Sequence, residues 1–297
     1  MCGRFAMEYN GEQLANQLRD GFHLEITEPG EQRDSGQDLD KSYNVAPTNM
    51  VNVYSIGHQL KSMKWGLVPS WIVHSKIDSF NSYRTINARL ETLTSKRIWK
   101  KCVHYKRCVI PVSGYYEWQT KGKEKIPYYV RRKDGELTFL AGLYDSFDVV
   151  EEKKKEEESK QVKKEEKSGK LPLYTFTIIT ADAPKNLKWL HDRMPCILVP
   201  GTNQWDNWFN TEHTEWEQKE LSELLEPIYD ETTMDVYRVS KDVGKVSNKG
   251  EYLIKPVLKR EGNGVKTEEE PVSIKKESGQ KRSITDMLRS STKRQKK

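Results

Sequence analysis

The stretch "RCVIPVSGYYEW" (residues 107–118) is dominated by β-branched, aliphatic and aromatic residues and reads as one long strand. Working outward from it, the runs "LTFLAGLYD" (137–145) and "LYTFTIITAD" (173–182) read the same way. Further strands are expected at 51–56, 63–69, 128–132 and 234–240. Helices are expected at 12–20, 90–104, 183–191 and 214–227, where apolar residues recur at helical spacing. Strands outnumber helices and do not alternate with them regularly, which excludes a doubly wound parallel sheet. The pattern predicts an α+β fold: a mixed, largely antiparallel, curled or barrel-like sheet with helices packed outside.

Residues 151–170, "EEKKKEEESKQVKKEEKSGK", hold 8 Lys and 7 Glu and no apolar face. They read as a low-complexity, disordered insert (149–170 at its widest) within one domain, because strand-like runs flank both ends. Periodicity ends near residue 257. The organisation expected is therefore a domain over 1–257 and a disordered basic tail over 258–297.

The net charge of +6 is a property of that tail. Residues 257–297 carry 12 Lys and Arg against 6 Asp and Glu, leaving 38 of each sign in the rest. Within the domain, residues 84–107 hold eight basic side chains against Glu91, whereas 25–40 hold six acids and one arginine. A neutral body with one basic stretch suits a localised anionic ligand. The four cysteines show no metal-type spacing, and no secretory segment stands near the start, so a reduced intracellular protein is expected, with no cofactor and no metal. No apolar run approaches the ~20 residues of a membrane span.

The chain opens "MCGRF". Met1 is normally trimmed before a small residue, which would expose Cys2 as a free α-amine and a thiol on adjacent carbons. Four other stretches carry possible chemistry. "INARLET" places Asn87 at the expected start of a helix. "SGYYEW" ends an apolar strand in Glu117. "LHDRMP" puts His191 in the expected last turn of a short helix, and "MKWGLVPSW" brackets a turn with Trp65 and Trp71. Each has a plain structural reading: a helix cap, a surface acid, a histidine at a helix C-terminus, and core tryptophans.

Together, "MCGR", "WGLVPSW", "NARLET", "GYYEW" and "HDRMP", in this order, resemble the SRAP family, the SOS-response-associated peptidases understood as abasic-site processing proteins. The resemblance runs from Cys2 to about Val257, without the insert or the tail. Gly244 departs from the expected pattern, which has asparagine after the valine. The resemblance implies a substrate, the ring-opened aldehyde of an abasic site in single-stranded DNA. It also implies a covalent thiazolidine link to Cys2 that protects the site during replication and repair, and a secondary autopeptidase activity. It assigns Cys2, Asn87, Glu117 and His191 to catalysis. Arg4, Arg89 and Arg97 would meet phosphates, and Trp65, Gly66, Leu67 and Val68 would form a wedge that unstacks a base.

The chemistry favours an N-terminal cysteine for that task. Only a neutral amine attacks an aldehyde, and near pH 7 an α-amine is neutral roughly 300-fold more often than a lysine amine. The neighbouring thiol then closes a five-membered ring without a second encounter.

The tail pairs Lys281-Arg282 with "KRQKK" (293–297) across ten residues, a bipartite nuclear-import pattern that implies a nuclear protein. "SITDML" (283–288) is a short patch for a replication clamp, and "VKTE" and "IKKE" resemble SUMO-attachment segments. A monomer is expected. Two other readings stay open at this point: a class II glutamine amidotransferase, which also begins with Cys-Gly, and a non-covalent binder of modified DNA in which Cys2 is inert.

Overall fold

The computed structural model describes residues 2–27, 39–72, 77, 79–148 and 172–257. The insert and the tail, with the import, clamp and SUMO motifs, lie outside the described residues. Thirteen strands form in these segments, in chain order β1 (Arg4–Met7), β2 (Ser42–Val45), β3 (Met50–Ser55), β4 (Gln59–Trp65), β5 (Asn87–Arg89), β6 (Arg107–Val112) and β7 (Gly114–Lys121). They continue with β8 (Glu124–Arg132), β9 (Thr138–Asp148), β10 (Pro172–Asp182), β11 (Arg193–Pro195), β12 (Ile197–Leu198) and β13 (Met234–Arg238). Four short α-helices accompany them: α1 (Gly11–Asn16), α2 (Arg97–Tyr105), α3 (Asn203–Phe209) and α4 (Gln218–Leu224).

The strands make two sheets. One has five strands in the order β13-β8-β7-β1-β2. The other has eight, and its β9–β10 pairing closes the ring β9-β10-β4-β3-β6 into a five-stranded barrel, with β5 and β11 on β10 and β12 on β9. Among these pairings only β10 with β4 and with β5 is parallel. The fold is thus the mixed α+β, largely antiparallel and barrel-like arrangement that the strand pattern implies.

The run 107–118 is not one strand. It divides at Ser113, where the chain leaves the barrel as β6 and enters the five-stranded sheet as β7. Ser113 N donates to Ala6 O, and its Oγ accepts from Glu8 N, so β1 holds the crossing point. At Gly114 a Cβ would come within 2.5 Å of the Tyr129 ring and 2.7 Å of Val130 O, so only glycine allows this approach.

Alternation along β7 and its neighbours sorts the five-stranded sheet into two buried faces. Phe5, Tyr115 and Val130 join the main core with Val53, Trp65, Ile110 and Phe176 of the barrel. Ala6, Tyr116 and Tyr129 face the other way and are covered by Val239, Val243, Leu253 and Ile254 of the closing segment.

The helices depart most from expectation. Residues 90–104 are helical only from Arg97, because Asn87–Arg89 pair with β10 and Leu90–Thr92 form one tight turn. Residues 183–191 form turns, not a helix. Ala183 N donates to Asp192 O and the Asn186 amide to Tyr229 O, closing a loop in place of a helical ladder. The helix at 214–227 shortens to α4. Helix α3 was not expected. Its tryptophans pack against the barrel, and the fully buried Arg107 ties it in by donating to Trp208 O and Asn210 O.

Candidate active site

The seam between the two sheets gathers four of the side chains singled out above. Strand β1 pairs with β7 from Arg4 opposite Tyr116, so the residues preceding β1 run out beside Glu117. Phe5 anchors that exit against Trp65 at 5.0 Å between ring centroids. Cys2 is fully buried. Burial and, secondarily, the Glu117 carboxylate push its thiol pKa far up, so the sulfur stays protonated at neutral pH. Its Sγ lies 3.8 Å from Arg4 O, and its carbonyl accepts from Asn87 Nδ2 at 2.8 Å.

Asn87 reaches it from the barrel side. It opens β5, a strand whose register pairs it with Ile178 of β10, so it is placed by a sheet and not by a helix cap. Its Oδ1 is buried and makes no hydrogen bond among the described residues. Glu117 comes from β7 of the other sheet. It is 3% exposed, which excludes the surface-acid reading, and its Oε1 accepts from Trp118 N at 3.3 Å. His191 stands on the loop before β11, with Nε2 3.8 Å from Glu117 Oε1. Its Nδ1 accepts from Arg193 N at 3.0 Å, so in the neutral ring the proton sits on Nε2, on the Glu117 side. The small cleft at this point is lined by Tyr115, Glu117, Leu187, Leu190, His191 and Met194.

Arg193 was not singled out from sequence, although it lies in the quoted "HDRMP". Its guanidinium takes Glu91 of "NARLET" in a two-pronged pair at 2.9 and 3.0 Å, and Asp182 at 2.8 Å. These bonds lock the His191 loop to the turn that follows β5, the strand that carries Asn87, and to the end of β10. The signal available in the sequence was opposite charge inside two motifs already chosen.

The residues expected to meet DNA divide. Arg89 and Arg97 are exposed. Arg97 lies over the ring of Trp71, 5.0 Å from its centroid, and Trp71 is 39% exposed. Arg4 is half-buried and committed inward, donating to Asn44 Oδ1 at 2.8 Å and Val243 O at 2.7 Å. The expected wedge is not presented by its side chains: Trp65 and Leu67 are fully buried and Val68 nearly so. The reason is visible in the loop. Gly66 takes φ +117°, its N–H donates to Phe176 O, and Trp65 Nε1 donates inward to Ile86 O. Val68 N then donates to Thr175 Oγ1 and Ser70 N to the buried Asp145. Strand pairing therefore pins the turn with its apolar side chains in the core. Among the described residues no three His, Cys, Asp or Glu side chains converge as a metal site.

The family model for SOS response associated peptidase (SRAP) matches residues 1–246. The chain belongs to the SRAP family. This SRAP protein is similar to the abasic site processing protein YMR114C of Saccharomyces cerevisiae, at 41% identity over 300 residues, spanning 94% of this chain and 75% of that one. It is also similar to the abasic site processing protein YoqW of Bacillus subtilis, at 34% identity over 259 residues, 86% of this chain and 99% of that one. In three dimensions the SRAP fold here matches a crystallised protein from Bacteroides thetaiotaomicron with a TM-score of 0.65 and 25% identity, covering 86% of this chain and 100% of that one.

Proposed function

We infer that this SRAP protein processes abasic sites in single-stranded DNA by linking them covalently to Cys2 once Met1 has been removed. The observation that carries the reading is the meeting of Cys2, Asn87, Glu117 and His191 at one seam, from four separate segments of the chain. The names of its relatives point to the same substrate.

The chemistry runs in two steps. The α-amine of Cys2 adds to the C1′ aldehyde of the ring-opened sugar, with Glu117 taking a proton from the nitrogen and passing it to the former carbonyl oxygen, which becomes a hydroxyl. Asn87 Oδ1, buried and without a hydrogen bond among the described residues, accepts the remaining N–H and aims the lone pair. His191, with its proton on Nε2, gives it to the departing hydroxyl, and water leaves. The thiol then adds to the imine carbon. Its proton returns to His191 by way of Glu117, the nitrogen keeps its one hydrogen, and a neutral thiazolidine results. One water is lost overall, and no oxidant or reductant is needed. The protonated state of the buried thiol suits this order, since a thiolate would sit unpaired in the seam while the amine reacts.

The phosphates would lie along Arg89 and Arg97, with Trp71 offering the exposed ring for a neighbouring base. The autopeptidase follows from the same thiol: attack on the Met1 carbonyl transfers that acyl group to sulfur, and water hydrolyses the thioester, freeing Cys2. The tail's basic clusters fit work in a nucleus.

A denaturing gel tests the reading. Mature protein incubated with single-stranded DNA bearing one abasic site should give a band shifted by the protein's mass. Cys2→Ala, or extra residues before Cys2, should abolish it. Glu117→Gln and His191→Ala should slow its formation by about 100-fold, the scale of one general acid or base. A band that survives Cys2→Ala removes the N-terminal mechanism; binding without any band favours the non-covalent module.

A further inference from the structure

Four arginines of this chain are committed within the fold. Arg4 is held by carbonyls, Arg107 is buried among them, Arg132 pairs with Asp134, and Arg193 with Glu91 and Asp182. Arg238, at the end of β13, is different. Among the described residues its guanidinium has no hydrogen bond or ion pair. Glu124, whose carboxyl the Lys241 hydrogen bond holds below its ordinary value with a lesser contribution from Arg238, is occupied by Lys241 at 2.5 Å.

Its position makes this notable. Arg238 pairs with Tyr128 across β13–β8, and Tyr128 pairs with Glu117 across β8–β7. Directly paired residues project to the same face of a sheet. The neighbours settle which face this is. Val236 and Tyr128 pack on the main core, whereas Tyr237 and Val239 belong to the opposite cluster. Arg238 therefore stands on the face that carries Glu117, two strands away, a backbone separation of about 10 Å.

The ground between them is aromatic. Tyr128 and Trp189 meet edge to face with ring centroids 5.2 Å apart, both half-buried. Gln119, the next residue of β7 on that face, donates to Trp189 O at 3.1 Å and fixes the His191 loop against the sheet. Lys123 at the β7–β8 turn and Lys188, the residue before Trp189, are both exposed. An acid in the row, two aromatic rings and an uncommitted guanidinium beyond them form a track leading away from the seam. It is separate from the one along Arg89 and Arg97, which belong to the opposite sheet or to α2.

We propose that Arg238 binds a phosphodiester of the strand flanking the lesion, with Tyr128 and Trp189 as the wall along which that nucleotide lies. This rests on the covalent reading above and extends it by a second arm of DNA. An arginine suits the task because its fork meets two phosphate oxygens at once and it stays charged at any working pH.

The full chain carrying Cys2→Ala makes binding reversible and allows a thermodynamic test. The probe is a fluorescent single-stranded oligonucleotide with one tetrahydrofuran analogue of the abasic sugar. Dissociation constants are measured by anisotropy between about 50 and about 200 mM salt, the range over which phosphate contacts register strongly. Arg238→Ala should weaken binding about 5-fold at the low-salt end and reduce the slope of log affinity against log salt by about 0.7, the value for one phosphate contact on a single strand. Arg238→Lys should keep the slope. Lys219→Ala, an exposed charge on α4 and not on the five-stranded sheet that carries Arg238, should change neither.

In the chain that retains Cys2, Arg238→Ala should raise the DNA concentration for half-maximal crosslinking far more than it lowers the maximum rate. The proposal is overturned if Arg238→Ala behaves as Lys219→Ala does in both measurements, or if the Cys2→Ala protein does not hold the oligonucleotide. Should wild-type protein bind but form no crosslink, the covalent reading fails by itself, and the anisotropy series still decides for or against Arg238.

Discussion

Two tryptophans six residues apart, on either side of one turn, show how residue-scale readings divide. Trp65 and Trp71 are equivalent as sequence: large aromatics beside "GLVPS". In the fold Trp65 is fully buried between Phe5 and Phe176, with its indole N–H satisfied, while Trp71 is 39% exposed under Arg97. Opposite phenotypes are expected. Trp65→Ala should cost about 3–5 kcal/mol of stability, as large-to-small changes in packed cores do, read from the denaturant midpoint. Trp71→Ala should change stability by less than about 0.5 kcal/mol and instead weaken binding to single-stranded DNA by the ~1–3 kcal/mol of one base–aromatic stack. A stable Trp65→Ala protein with lost DNA binding would return the wedge role to that residue. The acid and the histidine divide differently: their types were evident in "GYYEW" and "HDRMP", but their 3.8 Å separation arises from segments more than seventy residues apart.

At the scale of elements, strands were legible and helices were not. Apolar runs such as 137–145 and 173–182 become β9 and β10; β9 runs three residues further and β10 starts one earlier because these ends pair with each other. The helix expected near Asn87 is absent because that segment pairs with the edge of β10, and the one expected near His191 is absent because residues 183–191 are the connection between β10 and β11, closed by Ala183 N donating to Asp192 O. The crossing at Ser113-Gly114 is the hidden boundary. Alternation persists across it, so periodicity alone reads one strand where the chain changes sheets. Gly114→Ala is the test: the added methyl would meet Tyr129 and Val130 O well inside contact distance. A loss of at least ~1–3 kcal/mol is expected, the cost of overpacking a filled interior, with slower crosslinking because Glu117 shifts on β7. A variant with unchanged unfolding midpoint and rate would show that the sheet relaxes there at no cost.

For the molecule as a whole, burial of thiols predicts how stability depends on pH. Cys2, Cys102, Cys108 and Cys196 are all buried, and loss of solvation raises each thiol pKa from its ordinary 9.0, for Cys102 and Cys196 to about 12. The raised groups keep their protons in the folded state while the unfolded chain loses them above pH ~9, so the folded state holds more protons there. Stability is accordingly complete below about pH 9 and falls as pH rises towards 12, by up to about 1.4 kcal/mol per pH unit for each thiol. Urea melts at pH 8, 9 and 10 would register the decline, and replacing Cys108 and Cys196 by alanine should flatten it. A midpoint that does not move between pH 8 and 10 would mean that these thiols ionise without cost in the folded protein.

Composition, strand runs and five short motifs were enough to determine the fold class, the family and the residue types offered for the candidate site, because side-chain chemistry and local periodicity are written in the order of residues. The sequence could not say that Trp65 is core and Trp71 surface, that Arg4 and Arg193 serve the fold's own carbonyls and carboxylates, or that Arg238 shares a row with Glu117. Those facts depend on which strands lie side by side. Strand pairing is a long-range choice, settled by the closure of a barrel and the burial of its seam, and no window of neighbouring residues contains it.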